Sequence, residues 1–86
     1  MKVIIAIRDI KADAFGNPMF VRSKGEAMRM FTDEVNRADQ DNALYRHPED
    51  FELYILGTYD DEKGDFQITP KEQITTGGSV AVRNDK

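Results

Sequence analysis

The sequence predicts an α+β domain: a small antiparallel sheet of about four strands with one packed helix, in the order β-(β)-α-β-β. Three observations carry this. The apolar run Val3-Ile4-Ile5-Ala6-Ile7 is short and rich in β-branched side chains, which suits a central strand covered on both faces. Ser23-Lys24-Gly25-Glu26 has the form of a capping box, and Ala27, Phe31 and Val35 then recur at four-residue spacing, the stripe of an amphipathic helix. Residues 51–59 alternate with a period of two, pass through a glycine-containing turn, and resume alternation at Phe66 and Ile68, which makes a hairpin.

Taken in chain order, residues 2–10 form the first strand. DAFGNP, residues 13–18, reads as a turn, because Gly16 and Asn17 tolerate unusual backbone angles and Pro18 fixes its own φ. Residues 19–22 read either as a second short strand or as the extended lead-in to the helix. The helix runs from the Ser23 cap to Arg37 or Ala38, with Met28 and Met30 flanking its apolar stripe and Arg29, Asp33, Asn36 and Arg37 mostly on the wet side. No period marks residues 39–50, where Leu44 and Tyr45 are the expected anchors. Gly57 interrupts the next strand and predicts a bulge or a close backbone approach. Asp60 to Asp65 is the hairpin connection, with Gly64 set for a left-handed position, and Pro70 is expected to stop the return strand. Residues 1–70 thus make the domain. Residues 71–86 read as a tail, either disordered or forming a short edge strand from Ser79 to Arg83.

A chain of 86 residues supports one small core. The absence of cysteine excludes a disulfide framework, a thiolate metal site and a thiol nucleophile. No apolar run reaches the roughly 18 residues of a membrane span, and Arg8 and Asp9 end the first run too early for a signal peptide. The expectation is a soluble, cytosolic protein. Net charge is −4, but unevenly spread: residues 1–46 carry eight Lys or Arg against seven acids, and residues 47–86 carry four against nine.

Catalysis finds no support. His47-Pro48-Glu49-Asp50 holds the single histidine beside two carboxylates, yet no nucleophile or oxyanion donor accompanies it, and Pro48 and Asp50 are ordinary turn residues. The acidic cluster 60–65 lacks the calcium-loop spacing: Gly64 falls at the fifth place from Asp60, Lys63 intrudes, and Lys71 stands at the twelfth. No phosphate-cradling loop is present, and neither a cofactor nor a metal is expected. Two binding readings remain open. In the first, Arg8, Arg22, Lys24 and Arg29 contact phosphates while Tyr54, on the strand face opposite Phe51, Leu53 and Ile55, offers a stacking platform for single-stranded DNA. In the second, Glu52, Asp60, Asp61 and Glu62 form an acidic face for a protein partner, and sheet edges join two copies in a homodimer.

Two blocks, 14-AFGNPMFVRSKGEAMRMFTDEVN-36 and 47-HPEDFELYILGTYDDEKGDF-66, resemble the small nonstructural protein of gokushovirus-like phages, members of the Microviridae with single-stranded DNA genomes. The resemblance rests on the AFG-NP turn, the DEVN helix end and the HPED-ELY-LG--DD-G-F hairpin. It implies a phage-encoded protein outside the capsid, made in the host bacterial cytoplasm. It further implies association with single-stranded DNA replication or its coupling to packaging; the partner in the second reading above would be a host or viral replication or packaging protein. The family brings no catalytic residues to transfer.

Overall fold

A strand that is apolar on both sides needs cover on both, and the chain places β1 (Lys2–Asp9) inside the sheet. A computed structural model describes residues 1–82. On one side β1 pairs along its whole length with β4 (Phe51–Asp60), from Lys2 opposite Tyr59 to Asp9 opposite Phe51. On its other side lie two short pieces, β2 (Ala14–Phe15) and β3 (Met19–Val21). The outer strand, β5 (Asp65–Thr76), pairs with β4, and every pairing is antiparallel. The α+β expectation is borne out, with a sheet of five strands because the edge beside β1 is broken in two.

That break is the first difference from the sequence reading, which had a single turn over 13–18. The reversal falls earlier, over residues 10–13. There the Asp9 carboxylate accepts from the backbone N–H of Lys11 (3.1 Å) and Ala12 (3.2 Å), and Asp13 takes a positive φ of 55°. Gly16 still donates to the Ile7 carbonyl at 2.8 Å, and the edge then lapses at Asn17-Pro18, since proline has no N–H to give.

α1 (Lys24–Val35) starts as its capping box predicts: Ser23 Oγ accepts from the Glu26 N–H at 3.1 Å. The Glu26 carboxylate reaches one residue further back than the simple box, accepting from the Arg22 N–H at 2.6 Å. Its pKa is lowered, first by that backbone hydrogen bond and then by the Arg22 side chain. Ala27, Phe31 and Val35 are buried against Ile5, Val21, Phe51 and Leu53, which locates the core between α1 and one face of the sheet.

The segment with no sequence period is ordered by polar contacts. Residues Ala43–Arg46 form a short helix, α2, and Pro48–Asp50 a single 3-10 turn. Buried Asn42 holds them: its amide donates to the carbonyls of Glu34 (2.8 Å) and Arg37 (3.0 Å), and its oxygen accepts from the Leu44 N–H (3.1 Å). One side chain thereby closes α1 and caps α2. Leu44 packs on the core, as expected of an anchor.

Pro70 does not stop the return strand. Proline is tolerated on an edge at a bulge, and β5 continues to Thr76, so residue 70 lies inside a strand. Ser79 and Val80 belong to a short helix, α3 (Gly77–Val80), and not to an edge strand; Arg83 lies outside the described residues. Asn36 pins this end, donating to the Val80 carbonyl at 3.0 Å and accepting from the Val82 N–H at 3.0 Å. Gly77 is required here because a Cβ would fall on the Pro48 carbonyl.

Two stability predictions follow from these contacts. Asn42→Ala removes two side-chain hydrogen bonds to the end of α1 and the cap of α2, and should cost about 2 kcal/mol in urea unfolding. A loss under about 0.5 kcal/mol, the usual size for an ordinary surface change, would contradict the role given to this side chain. For Glu26 the folded-state pKa is lowered, so its charge stabilises the fold above the ordinary glutamate value of about 4.3. That advantage is lost as pH falls through the lower folded-state value. Wild type should therefore be more stable than Glu26→Gln at pH 7, and the gap should narrow below about pH 4.3.

Candidate nucleic-acid interface

Alternation along β1 sends Val3, Ile5 and Ile7 toward α1 and Ile4, Ala6 and Arg8 to the opposite face. No described helix packs on that second face. Even so, Ile4 is 4% exposed and Ala6 is fully buried. Their cover comes from aromatic side chains in register with them. Phe20 stands opposite Ile4, Tyr54 opposite Ala6, Phe15 opposite Arg8, and Tyr59 opposite Lys2 and Phe66.

The rings fall into two groups. Phe15 and Tyr54 meet edge to face, with centroids 5.3 Å apart. Phe20, Tyr59 and Phe66 form a cluster with centroid separations of 5.5, 6.2 and 4.7 Å. Mutual contact does not hide them, since Phe15, Phe20 and Phe66 remain 40%, 47% and 60% exposed. Beside the second group a shallow apolar groove is lined by Ile4, Phe20, Leu56, Phe66, Ile68 and Lys71.

A polar chain borders the first group. Arg8 donates to Asp13 (2.8 Å) and Glu52 (3.2 Å), and the Tyr54 hydroxyl donates to the same Glu52 oxygen at 3.2 Å. The bond to Asp13, then that to Glu52, raises the Arg8 pKa. The Tyr54 pKa is also raised, chiefly because the phenol is partly removed from water and next because the Glu52 charge disfavours a phenolate.

The bulge expected at Gly57 is present, as is the close approach. A Cβ there would overlap the Gln67 carbonyl, and the β4–β5 register shifts between Ile55 and Gly57. Ile68 pairs with Gly57 and Glu72 with Ile55, so Thr69-Pro70-Lys71 stand opposite Leu56 alone. This bulge re-aims the strand, and Lys71 Nζ lies over the Phe15 ring, 6.0 Å from its centroid. Lys71 and the rings of Phe66 and Tyr59 went unnoticed as site residues in the sequence. The alternation of 51–59 was the available signal, but the bulge conceals which residues of β5 share the face.

The expected DNA-contact residues do not converge. Arg8 and Tyr54 meet on the ring face through Glu52. Arg22 pairs with Glu26 at 3.2 Å, Lys24 with Glu72 at 3.5 Å, and exposed Arg29 sits on α1, which packs on the other face. The expected acidic face is likewise divided. Glu52 is committed to Arg8, and the Asp60 carboxylate accepts from the Glu62 and Lys63 N–H groups of the hairpin turn. Asp61 meets the Met1 amino group at 3.0 Å, with its pKa lowered by that contact. Glu62 is exposed at the tip, where Gly64 adopts the left-handed conformation expected of it, at φ 74°. The donor atoms of His47, Glu49 and Asp50 lie within 4.8 Å of one another on the 3-10 turn, all on exposed or half-exposed side chains. Among the described residues no helix is long and apolar enough to cross a membrane.

Comparison with known proteins places the chain. Residues 2–80 match the family model described as Phage ORF5 protein. The chain belongs to the Phage ORF5 protein family. Protein ORF5 of Chlamydia phage 1 is 40% identical to it over 63 residues, which is 71% of this chain and 66% of that protein, just under two thirds. That phage is a gokushovirus of the Microviridae, which bears out the resemblance of the two sequence blocks. No solved structure matches this ORF5 family member.

The Glu52–Tyr54 contact makes a testable statement about charge. Glu52→Gln removes the anion that disfavours the Tyr54 phenolate, so Tyr54 should ionise at lower pH than in wild type. Ultraviolet titration, with Tyr54→Phe subtracted to isolate this phenol, measures the change; an upward shift would contradict the geometry.

Proposed function

We propose that this ORF5 family member is a non-enzymatic phage accessory protein that holds single-stranded DNA on the open ring face of its sheet. It would do so during genome replication or its coupling to packaging, in the host bacterial cytoplasm. The observation that carries the reading is the face itself, with Phe15, Tyr54, Phe20, Tyr59 and Phe66 on the side free of described helices and Lys71 aimed across it. Exposed rings on a sheet with nearby cations suit sequence-independent binding of unpaired bases, which stack on any π surface while phosphates meet the cations. Membership of a family with a relative in a single-stranded DNA phage supports the same reading. Arg8 and Tyr54 retain a place in this surface; Arg22, Lys24 and Arg29 belong to the helix side.

The partner-protein reading draws less from the geometry. Three of its four acids, Glu52, Asp60 and Asp61, already have partners within the chain. The outer strand through which two copies would pair carries Pro70, Lys71 and bulges, features that discourage edge pairing.

The deciding experiment is titration of a labelled oligothymidine into the protein at low salt, where phosphate contacts are strongest. Saturable binding that weakens as salt rises is expected. No binding at any salt concentration, together with capture of a host or viral replication protein that survives nuclease treatment, would replace this reading with the partner-protein one.

A further inference from the structure

The ring face contains two separated stacking stations, and their spacing sets how much nucleic acid the face can engage. This inference rests on the single-stranded DNA reading above and deepens it. Phe15 stands opposite Arg8 and Phe20 opposite Ile4, four residues apart along β1. At the rise of an antiparallel strand, that is about 13 Å. A stacked base occupies about 3.4 Å along its strand, so neighbouring bases of one stack cannot serve both stations.

Between the stations the surface changes character. Small Ala6 lies in β1, and Lys71, lifted by the three-against-one bulge, reaches over the face toward Phe15. Among the described residues Lys71 forms no ion pair, unlike Arg8, which two acids already engage. The second station is the more apolar: Phe20 and Phe66 are joined there by Ile68, 70% exposed, beside the groove. An exposed apolar patch of this kind, with a cation at its margin, complements a flat apolar base attached to an anionic linker.

We infer that one DNA strand lies along the β-strand direction and stacks one base on Phe15/Tyr54 and another on Phe20/Phe66. Lys71 then meets the phosphates of the intervening nucleotides. A dinucleotide fills one station only; a strand of about six nucleotides fills both, within the usual range for a sheet-based single-strand site.

The test compares thymidine oligomers dT2, dT4, dT6 and dT8 against wild type, Phe15→Leu, Phe66→Leu and Lys71→Ala. The leucine variants keep apolar cover while removing the ring, and circular dichroism confirms that each is folded. Phe66→Ala, at a largely exposed position, serves as a second variant. Wild-type affinity should rise steeply between dT2 and dT6 and then level off. Each ring variant should bind dT6 roughly fivefold or more weakly, the loss of one stacked base, and the gain from dT2 to dT6 should shrink. Lys71→Ala should flatten the slope of log affinity against log salt by about 0.7, one phosphate contact on a single strand. Arg29→Ala, on the helix side, should leave both readouts unchanged.

Wild-type binding with no length step, a folded Phe66→Leu that binds dT6 as wild type does, or an unchanged salt slope in Lys71→Ala would each overturn the two-station path while leaving DNA binding in place. Failure of wild type to bind even dT8 would overturn the DNA reading itself, and this inference with it.

Discussion

The structure depends on a mismatch between β1 and its cover. Val3-Ile4-Ile5-Ala6-Ile7 is apolar on both faces, and among the described residues there is one long helix to shield it. α1 takes the Ile5 face, where Phe31, Val35 and Leu53 complete a closed core. The other face must be covered by side chains of the sheet itself. Burying Ile4 costs nothing in polar groups, and each buried aliphatic side chain is worth about 1.5–3 kcal/mol, so aromatic residues on β3, β4 and β5 are well suited to the task. Rings large enough to bury Ile4 and Ala6 still turn their own outer surfaces to water. The ring face is therefore a consequence of how this small fold closes its core, and a surface available for binding arises with it.

A second constraint sits in the β4–β5 hairpin. Gly57 brings β5 so close that no side chain fits, and the register then slips. Pro70 falls within the slip, where its missing N–H leaves no ladder bond unmade. The same slip changes which residues of β5 face the rings. Without it, the alternation that sends Phe66 and Ile68 to the ring face would not continue to Lys71 in its present position. Backbone geometry at one glycine thus decides whether a cation lies over Phe15.

The legible and illegible parts of the sequence separate along physical lines. Local signals were readable: the Ser23 cap, the Ala27-Phe31-Val35 stripe, the Phe51-Leu53-Ile55 alternation and the Gly64 turn all depend on residues within a few positions of one another. Long-range contacts were not. Nothing near Asn42 announces that its amide will close α1 eight residues earlier, at Glu34. Pro70 reads as a strand terminator until its edge position and bulge are known. Strand parity set Tyr54 on the face opposite Phe51, Leu53 and Ile55, whereas Arg8 was chosen for its charge and meets Tyr54 there through Glu52. Arg22, Lys24 and Arg29 were grouped with them on charge alone, and charge carries no information about which side of a sheet a helix will occupy.

Charge placement also bears on how an acidic chain could present the surface proposed for a polyanion. Net charge governs attraction at long range, but at physiological salt the Debye length is about 8 Å, so the local pattern decides at contact. The acids of 60–65 gather at the hairpin tip, where Asp60 shapes the turn and Asp61 is held by an amino group. The Tyr59/Phe66 end of the ring face lies next to that tip, whereas Phe15 lies beside Lys71 and Arg8. The rings at the tip end are thus flanked by acids together with Lys2, which stands opposite Tyr59, and those at the other end by Lys71 and Arg8. On the proposed path a DNA strand would stack bases at both stations and bring the phosphates between them to Lys71. Rings and cations so arranged would hold such a strand without any contact that reads its sequence.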